Sequence, residues 1–312
     1  MTDTETTFAH ALAWGRRGHA SFPLWWPIAH SDQPATCACG EVCGNQAAKH
    51  PVASVTRGNR LIFLAPHGHL SATTNTGVLK HWFGYLVPEA NLGIATEKLV
   101  VVDIDPRHGG DESLKKLEAD HGELPLTWRS LTGGGGEHIF FVCPNGVEIH
   151  NVVAKQMTDP PLGPGIDVRA RGGYIVAPPS LHMSGRRYCW SVDHHPADIG
   201  EPAPPPDWLV ERLTAARAAI PPDGTPEPIP SDRWAQLTRQ PIVEYRDDAA
   251  LEMAGHLFCH SCDYELVLGL LQTWNTAWCK PPLGYYELKR LVDVVANYEA
   301  KQIRARLKRW GN

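Results

Sequence analysis

Apolar positions along this chain change their period several times. Phe8, Ala11, Leu12 and Trp14 fall near helical spacing, and Arg16, Arg17 and Gly18 close the run, which predicts a short helix over 8–18. The stretch 22–30 (FPLWWPIAH) is strand-like but broken by prolines, and 31–51 is polar, Cys-rich and Gly-rich, a loop. A second helix is expected over 77–86. Leu99 to Val102 are continuously apolar, a strong strand signal that ends in Asp103-Ile104-Asp105. An amphipathic helix over 111–121 follows, stopped by Gly122. Strands over 127–131 and 138–143 flank a run of four glycines. Residues 166–182 read as a hairpin leading into a proline-punctuated loop, and 186–192 as one more strand.

Beyond Pro196 the pattern breaks. Prolines crowd the stretch to Pro230, interrupted by one expected helix over 207–219. After Arg239 the period is helical again, over 249–260, 264–273, 285–297 and a basic tail at 301–310, with Pro281 and Pro282 as a boundary. The expected organisation is an α+β domain over 1–212, a Pro-rich linker over 213–238 and a small all-α domain over 239–312. No solenoid-length repeat is present.

Composition adds limits. The chain has 312 residues, 43% hydrophobic and 20% charged, which excludes a wholly disordered protein. The net charge of −5 leans against binding duplex DNA by charge neutralisation alone. The N-terminus is acidic and lacks a basic-then-apolar signal pattern, so a cytoplasmic protein with no membrane partner is expected. In a reducing compartment, eight cysteines are not a disulfide framework, and their spacing matters more than their even count.

Three elements carry candidate chemistry. Asp103 and Asp105 sit two apart at a strand end and so share a face, where paired carboxylates suit Mg²⁺ or Mn²⁺; a strand-end turn with solvated acids is the alternative. Thr132-Gly133-Gly134-Gly135-Gly136-Glu137-His138 could bring backbone N–H groups and an imidazole to an anion, although a plain hairpin turn explains the glycines equally well. Asp167, in Gly165-Ile166-Asp167-Val168-Arg169, could supply a third carboxylate, and Arg169 shares its face; an Asp–Arg pair is the alternative. Separately, Cys37, Cys39, Cys43 and His50 make a plausible Cys₃His zinc set, with His30 a rival fourth ligand. Cys259-His260-Ser261-Cys262 is a poorer metal candidate, since Cys279 lies far off. Trp25, Trp26, Trp82 and Tyr174 are read as core more than as base-stacking platforms, and His182 is placed either at the site or in a structural hydrogen bond.

In this order the three elements resemble the bifunctional primase–polymerase branch of the archaeo-eukaryotic primase superfamily. The flanking blocks Asn91–Thr96 and Gly172–Ser180 match as well, and the likeness covers roughly 8–212. Gly134 stands where Ser is common, and Glu97 where Gly often follows the Thr. The resemblance implies a catalytic domain with an RRM-like mixed sheet and flanking helices. It implies Asp103, Asp105 and Asp167 holding two divalent metals, His138 binding phosphate, and residues 133–136 approaching the nucleotide. Lys49-His50-Pro51 preserves the end of the zinc insert that relatives carry. Residues 249–298 resemble the helical domain of phage primases, with Asn275, Pro281, Pro282, Leu283 and Glu287 its core. The expected activity is primer synthesis and extension on single-stranded DNA from NTPs or dNTPs, in phage or plasmid-type replication. A non-catalytic replication initiator and a rolling-circle nicking enzyme are the rivals, and the latter wants a His-hydrophobe-His motif that is not found. With no G-x₄-G-K-[ST] loop, unwinding falls to a separate replicative helicase.

Overall fold

The computed structural model describes residues 6–218, 231–259 and 262–296. The chain divides into two compact units, 1–220 and 221–312. In the first, helix α1 (Thr7–Arg16) starts where Thr6 Oγ1 accepts the amide of Ala9 at 3.3 Å. Strands β1 (Ser21–Leu24), β2 (Pro27–Ile28), β3 (Thr36–Cys37), β4 (Ser54–Arg57) and β5 (Arg60–Phe63) follow. Helix α2 (Thr76–His81) is capped by Asn75 and runs on as a wider turn over Trp82–Leu86. Then come β6 (Asn91–Ala95), β7 (Leu99–Ile104), α3 (Gly110–His121), β8 (Arg129–Leu131), β9 (Glu137–Val142), β10 (Ile166–Arg169), β11 (Tyr174–Ala177), β12 (Cys189–Trp190), α4 (Pro196–Ile199) and α5 (Asp207–Ala218).

The class is α+β, as expected. Two main sheets carry it, β1-β6-β11 and β10-β7-β9-β8-β12, and every named pairing in both is antiparallel, where one mixed sheet was expected. The run 166–182 is not a hairpin. β10 pairs with β7, whereas β11 pairs with β6 in the other sheet. The chain crosses between sheets at 170–173, and it makes the same crossing between β6 and β7. Thr96 ties the two crossings together, its hydroxyl donating to Ala170 O (2.6 Å) and its amide to Gly173 O (3.1 Å).

The unbroken apolar run of β7 is buried on both faces. Leu99 and Val101, with Phe140 and Trp128, pack toward β1-β6-β11, α1 and α2. Val100, Val102 and Ile104 pack with Leu117 of α3 and with Leu209 and Leu213 of α5. Period two then places Asp103 on the face of Val101, at the end of the seam between the sheets.

In the second unit, α6 (Ser231–Arg239), α7 (Arg246–Cys259), α8 (Tyr264–Trp278) and helical backbone over 285–296 share one apolar core. Helix α6 falls where linker was expected. Its Leu237 is buried in this core, and its Leu237 carbonyl accepts the Trp274 indole N–H at 2.7 Å. Asn275 is buried and grips the backbone of Leu283 from both sides, each bond 2.8 Å. The basic tail expected at 301–310 lies outside the described residues.

Candidate active site

The register of the five-stranded sheet sets one row of side chains. Asp103 on β7 lies opposite Asp167 on β10 and opposite His138 on β9, and His138 lies opposite Ser130 on β8. His138 is buried, with Nε2 3.5 Å from Asp103 Oδ1. Burial holds its imidazole below the ordinary histidine range, so it is neutral at pH 7. Among the described residues neither His138 Nδ1 nor Ser130 Oγ has a hydrogen-bond partner. Tyr188 packs beside it, ring centroids 6.1 Å apart, and burial pushes the phenol up.

Asp105 lies just past the strand. Its φ of −109° and ψ of 100° keep it extended, and its amide donates to Gly165 O at 2.8 Å. Its carboxylate is taken locally. It accepts from Arg107 Nε (2.9 Å), Arg107 Nη2 (2.9 Å), the Arg107 amide (3.1 Å) and His108 Nδ1 (2.9 Å). Arg107 chiefly holds its pKa down, at about 2. Asp167 accepts the amide of Ala154 at 2.8 Å and Arg169 Nη2 at 2.9 Å, while burial pushes its carboxyl up.

The three carboxylates therefore share one end of the sheet, but their oxygens do not converge on one point. The strand period brings Asp103 and Asp105 to one face; the turn that begins at Pro106 then folds Arg107 and His108 back onto Asp105. Among the described residues only Cys37, Cys39, Cys43 and His50 draw three or more ligand atoms close together.

The glycine run is a tight turn between β8 and β9. Thr132 N donates to Gly136 O (2.8 Å), and Thr132 Oγ1 accepts the Gly136 amide (2.9 Å). A Cβ on Gly133 would stand 2.1 Å from His182 Cβ, and one on Gly136 2.2 Å from Ile104 O, so close packing demands glycine at both. At Gly134 a Cβ would meet nothing nearer than 3.7 Å, so the position has room for the serine common in relatives. The facing loop is tied on by Ser184 Oγ and Arg186 Nε, which donate to Gly133 O at 2.7 and 3.1 Å. Burial and the nearby charges of Lys49, Arg107 and Arg186 push His182 down to about 4.

The structure brings the sequence candidates Asp103, Asp105, Asp167, His138, Arg169 and the Thr132–Gly136 turn to one end of the sheet, with His182 beside the turn. Arg107, Arg186, Tyr188 and Lys49, which spacing along the chain does not single out, lie there as well. The Pro-Arg-His after the carboxylates was the one local signal for Arg107. The aromatic residues read as core are so placed: Trp82 is buried, and Trp25, Trp26 and Tyr174 pack against the first core.

The Cys–His loop is a second, separate set. The ligand atoms of Cys37, Cys39, Cys43 and His50 lie within 4.8 Å of one another. Cys39 Sγ is 3.1 Å from Cys43 Sγ, and His50 Nε2 is 3.3 Å from Cys43 Sγ and 3.5 Å from Cys37 Sγ. Burial pushes the Cys37 thiol up, but hydrogen bonds from His50 and nearby amides outweigh it and hold the thiol at about 6. Burial and the crowding of neighbouring sulfurs push Cys43 up. Such crowding is what a bound cation relieves, and three sulfurs with one imidazole nitrogen suit tetrahedral coordination. His30 hydrogen-bonds Thr36 instead (2.9 Å) and stands outside the set.

The carboxylate end also suits its expected ions by donor chemistry, with three hard oxygen donors ringed by Lys49, Arg107, Arg169 and Arg186. No curated protein matches the chain. One family description does, that of the bifunctional DNA primase/polymerase, N-terminal domain, over residues 11–208. That span holds both sheets, the Asp103–Asp167–His138 row and the Cys–His loop, and the chain belongs to the bifunctional DNA primase/polymerase family.

Proposed function

We propose that the chain performs template-directed nucleotidyl transfer on single-stranded DNA, both starting primers and extending them. The family implies DNA primase/polymerase activity in general. The observation that carries the finer reading is the cross-strand row Asp167–Asp103–His138, with cationic side chains gathered at its open end. Asp103, Asp105 and Asp167 are assigned as holders of two Mg²⁺ or Mn²⁺ ions. Bound divalent ions supply the charge that lowers the pKa of a 3′-hydroxyl and steadies departing pyrophosphate.

The chain's own residues do the rest. His138, held beside Asp103, is assigned as a phosphate contact. Arg107 and Arg169 balance Asp105 and Asp167 and are assigned to turn toward a triphosphate when one binds. The Thr132–Gly136 turn, whose Gly133 and Gly136 pack tightly against His182 and Ile104, is assigned to approach the nucleotide through its backbone. Cys37, Cys39, Cys43 and His50 are assigned to one structural Zn²⁺. A separate helicase supplies unwinding, and replication of a phage or plasmid type is the setting. No helix among the described residues is long and apolar enough to cross a membrane.

The test is direct: full-length protein, single-stranded DNA, labelled NTPs and dNTPs, and Mg²⁺ or Mn²⁺. New strands that depend on template are expected, and their 5′ nucleotide and length define initiation. DNA binding without any incorporation, in either metal, would overturn the reading in favour of a non-catalytic initiator.

A further inference from the structure

One residue joins the Cys–His loop to the carboxylate end. Lys49 stands between Ala48, whose amide donates to Cys37 Sγ (3.3 Å), and His50, a member of the ligand set. Each carbonyl of this stretch is tied to another part of the fold. Ala48 O accepts Asn91 Nδ2 (2.9 Å), Lys49 O accepts the Tyr174 hydroxyl (3.2 Å), and His50 O accepts the Trp25 amide (2.9 Å). Asn91 is buried, and its side chain also bonds the amide and carbonyl of Leu181 at 2.8 Å each, next to His182.

The Lys49 backbone is thus fixed on both sides, and its side chain runs to the carboxylate end. Its charge acts on Asp103 and Asp105, and on His138 and His182. Yet among the described residues no hydrogen bond or ion pair takes up its ammonium. The neighbouring cations differ: Arg107 is bound to Asp105, Arg169 to Asp167, and Arg186 to Gly133 O. A partly buried ammonium with three donors unspent suits a polyanion.

We propose that Lys49 contacts the phosphates of the incoming nucleotide, and that the metal-loaded Cys–His loop is the device that positions it. This rests on the nucleotidyl-transfer reading above. The loop itself touches no substrate; it fixes in advance the backbone from which the ammonium reaches, so less freedom is lost on binding.

The experiment measures dATP binding by calorimetry to the full-length protein, in Mg²⁺ and without DNA, so that no turnover intervenes. Lys49→Ala is expected to weaken binding about tenfold to a hundredfold, the scale of one hydrogen bond to a charged group. The loss should be smaller for dAMP, and Lys49→Arg should restore part of it. Zinc content and thermal unfolding of Lys49→Ala should match the wild type. Cys43→Ser, lacking zinc, should weaken dATP binding as much as Lys49→Ala. The double variant should be no worse than Cys43→Ser alone, because the two changes remove one interaction.

Should Cys43→Ser fail to fold, stripping zinc from wild type and from Lys49→Ala with a chelator makes the same comparison. Wild-type dATP affinity in Lys49→Ala would overturn the Lys49 contact. Losses that multiply in the double variant would overturn the positioning role. Both results leave nucleotidyl transfer standing if Asp103→Ala abolishes incorporation. A wild type that neither binds dATP nor incorporates it removes the reading beneath as well.

Discussion

The two candidate ligand sets of the first unit are built in opposite ways. The Cys–His set comes from one short stretch, residues 37 to 50, and its four ligand atoms already lie within 4.8 Å of one another. The carboxylate set comes from two distant strands, and two of its members are engaged elsewhere, Asp105 by Arg107 and His108, Asp167 by Arg169 and Ala154 N. The difference follows from charge and task. Only Cys37 of the three thiols is held low while Cys39 and Cys43 are pushed up, so the loop can gather its sulfurs and imidazole before an ion arrives without several like charges together. Carboxylates brought together repel, and the fold pairs Asp105 and Asp167 with internal guanidinium groups. A closed set of four protein ligands suits a structural ion, whereas a loosely assembled one leaves positions for substrate.

The sharpest way to separate the two sets is to empty one and read the other. Asp103→Ala should lower nucleotide incorporation by about a thousandfold or more, the scale of losing metal-assisted charge stabilisation. Zinc content should stay near one equivalent and the thermal unfolding midpoint should hold, since Asp103 is partly exposed at a strand end. Normal incorporation would remove Asp103 from the site. Cys43→Ser is the converse. Metal analysis should find zinc well below one equivalent, and unfolding should occur at lower temperature. Incorporation should fall by about tenfold to a hundredfold, the cost expected when the support of a site is disturbed rather than its ligands. A loss as deep as that of Asp103→Ala would mean that the two sets are not separate.

The same contrast explains what could be read in advance. Cys37, Cys39, Cys43 and His50 are near in sequence, so spacing alone proposes them. Asp103 was legible because an apolar strand with period two must end somewhere, and this one ends in acids. The partnership of Asp103 with Asp167 and His138 is a matter of register between strands, which spacing does not encode. The misread hairpin has the same cause. Two apolar runs separated by Gly172 and Gly173 look alike whether they pair with each other or, as here, with β7 and β6. In the sequence Lys49 is only the neighbour of a ligand; its placement depends on Asn91 and Tyr174, which bind Ala48 O and Lys49 O from other strands. Helix α6 is not legible in the sequence because Leu237 and Trp234 are too few apolar positions to mark a helix beside so many prolines.

The smallest expected effect tests whether Arg107 serves as an internal counter-charge. Asp105 has a folded pKa of about 2 against an ordinary value of 3.8. A depressed carboxyl pKa stabilises the fold above the ordinary value, and that contribution disappears as pH falls toward 2. Arg107→Ala should therefore destabilise the first unit near pH 7, and the gap between variant and wild type should narrow as pH falls below about 4. The Arg107 side chain is 63% exposed and that of Asp105 29%, so solvent screens the pair and the gap at pH 7 should be no more than about 1 kcal/mol. Urea unfolding at low salt, at pH 7 and at pH 3, measures it. Saturating Mg²⁺ should shrink the gap at pH 7, because a divalent ion held at Asp105 takes over the balancing of its charge. A gap that is constant with pH would mean that Arg107 acts through packing, and one untouched by Mg²⁺ would leave Asp105 outside the ion-binding set.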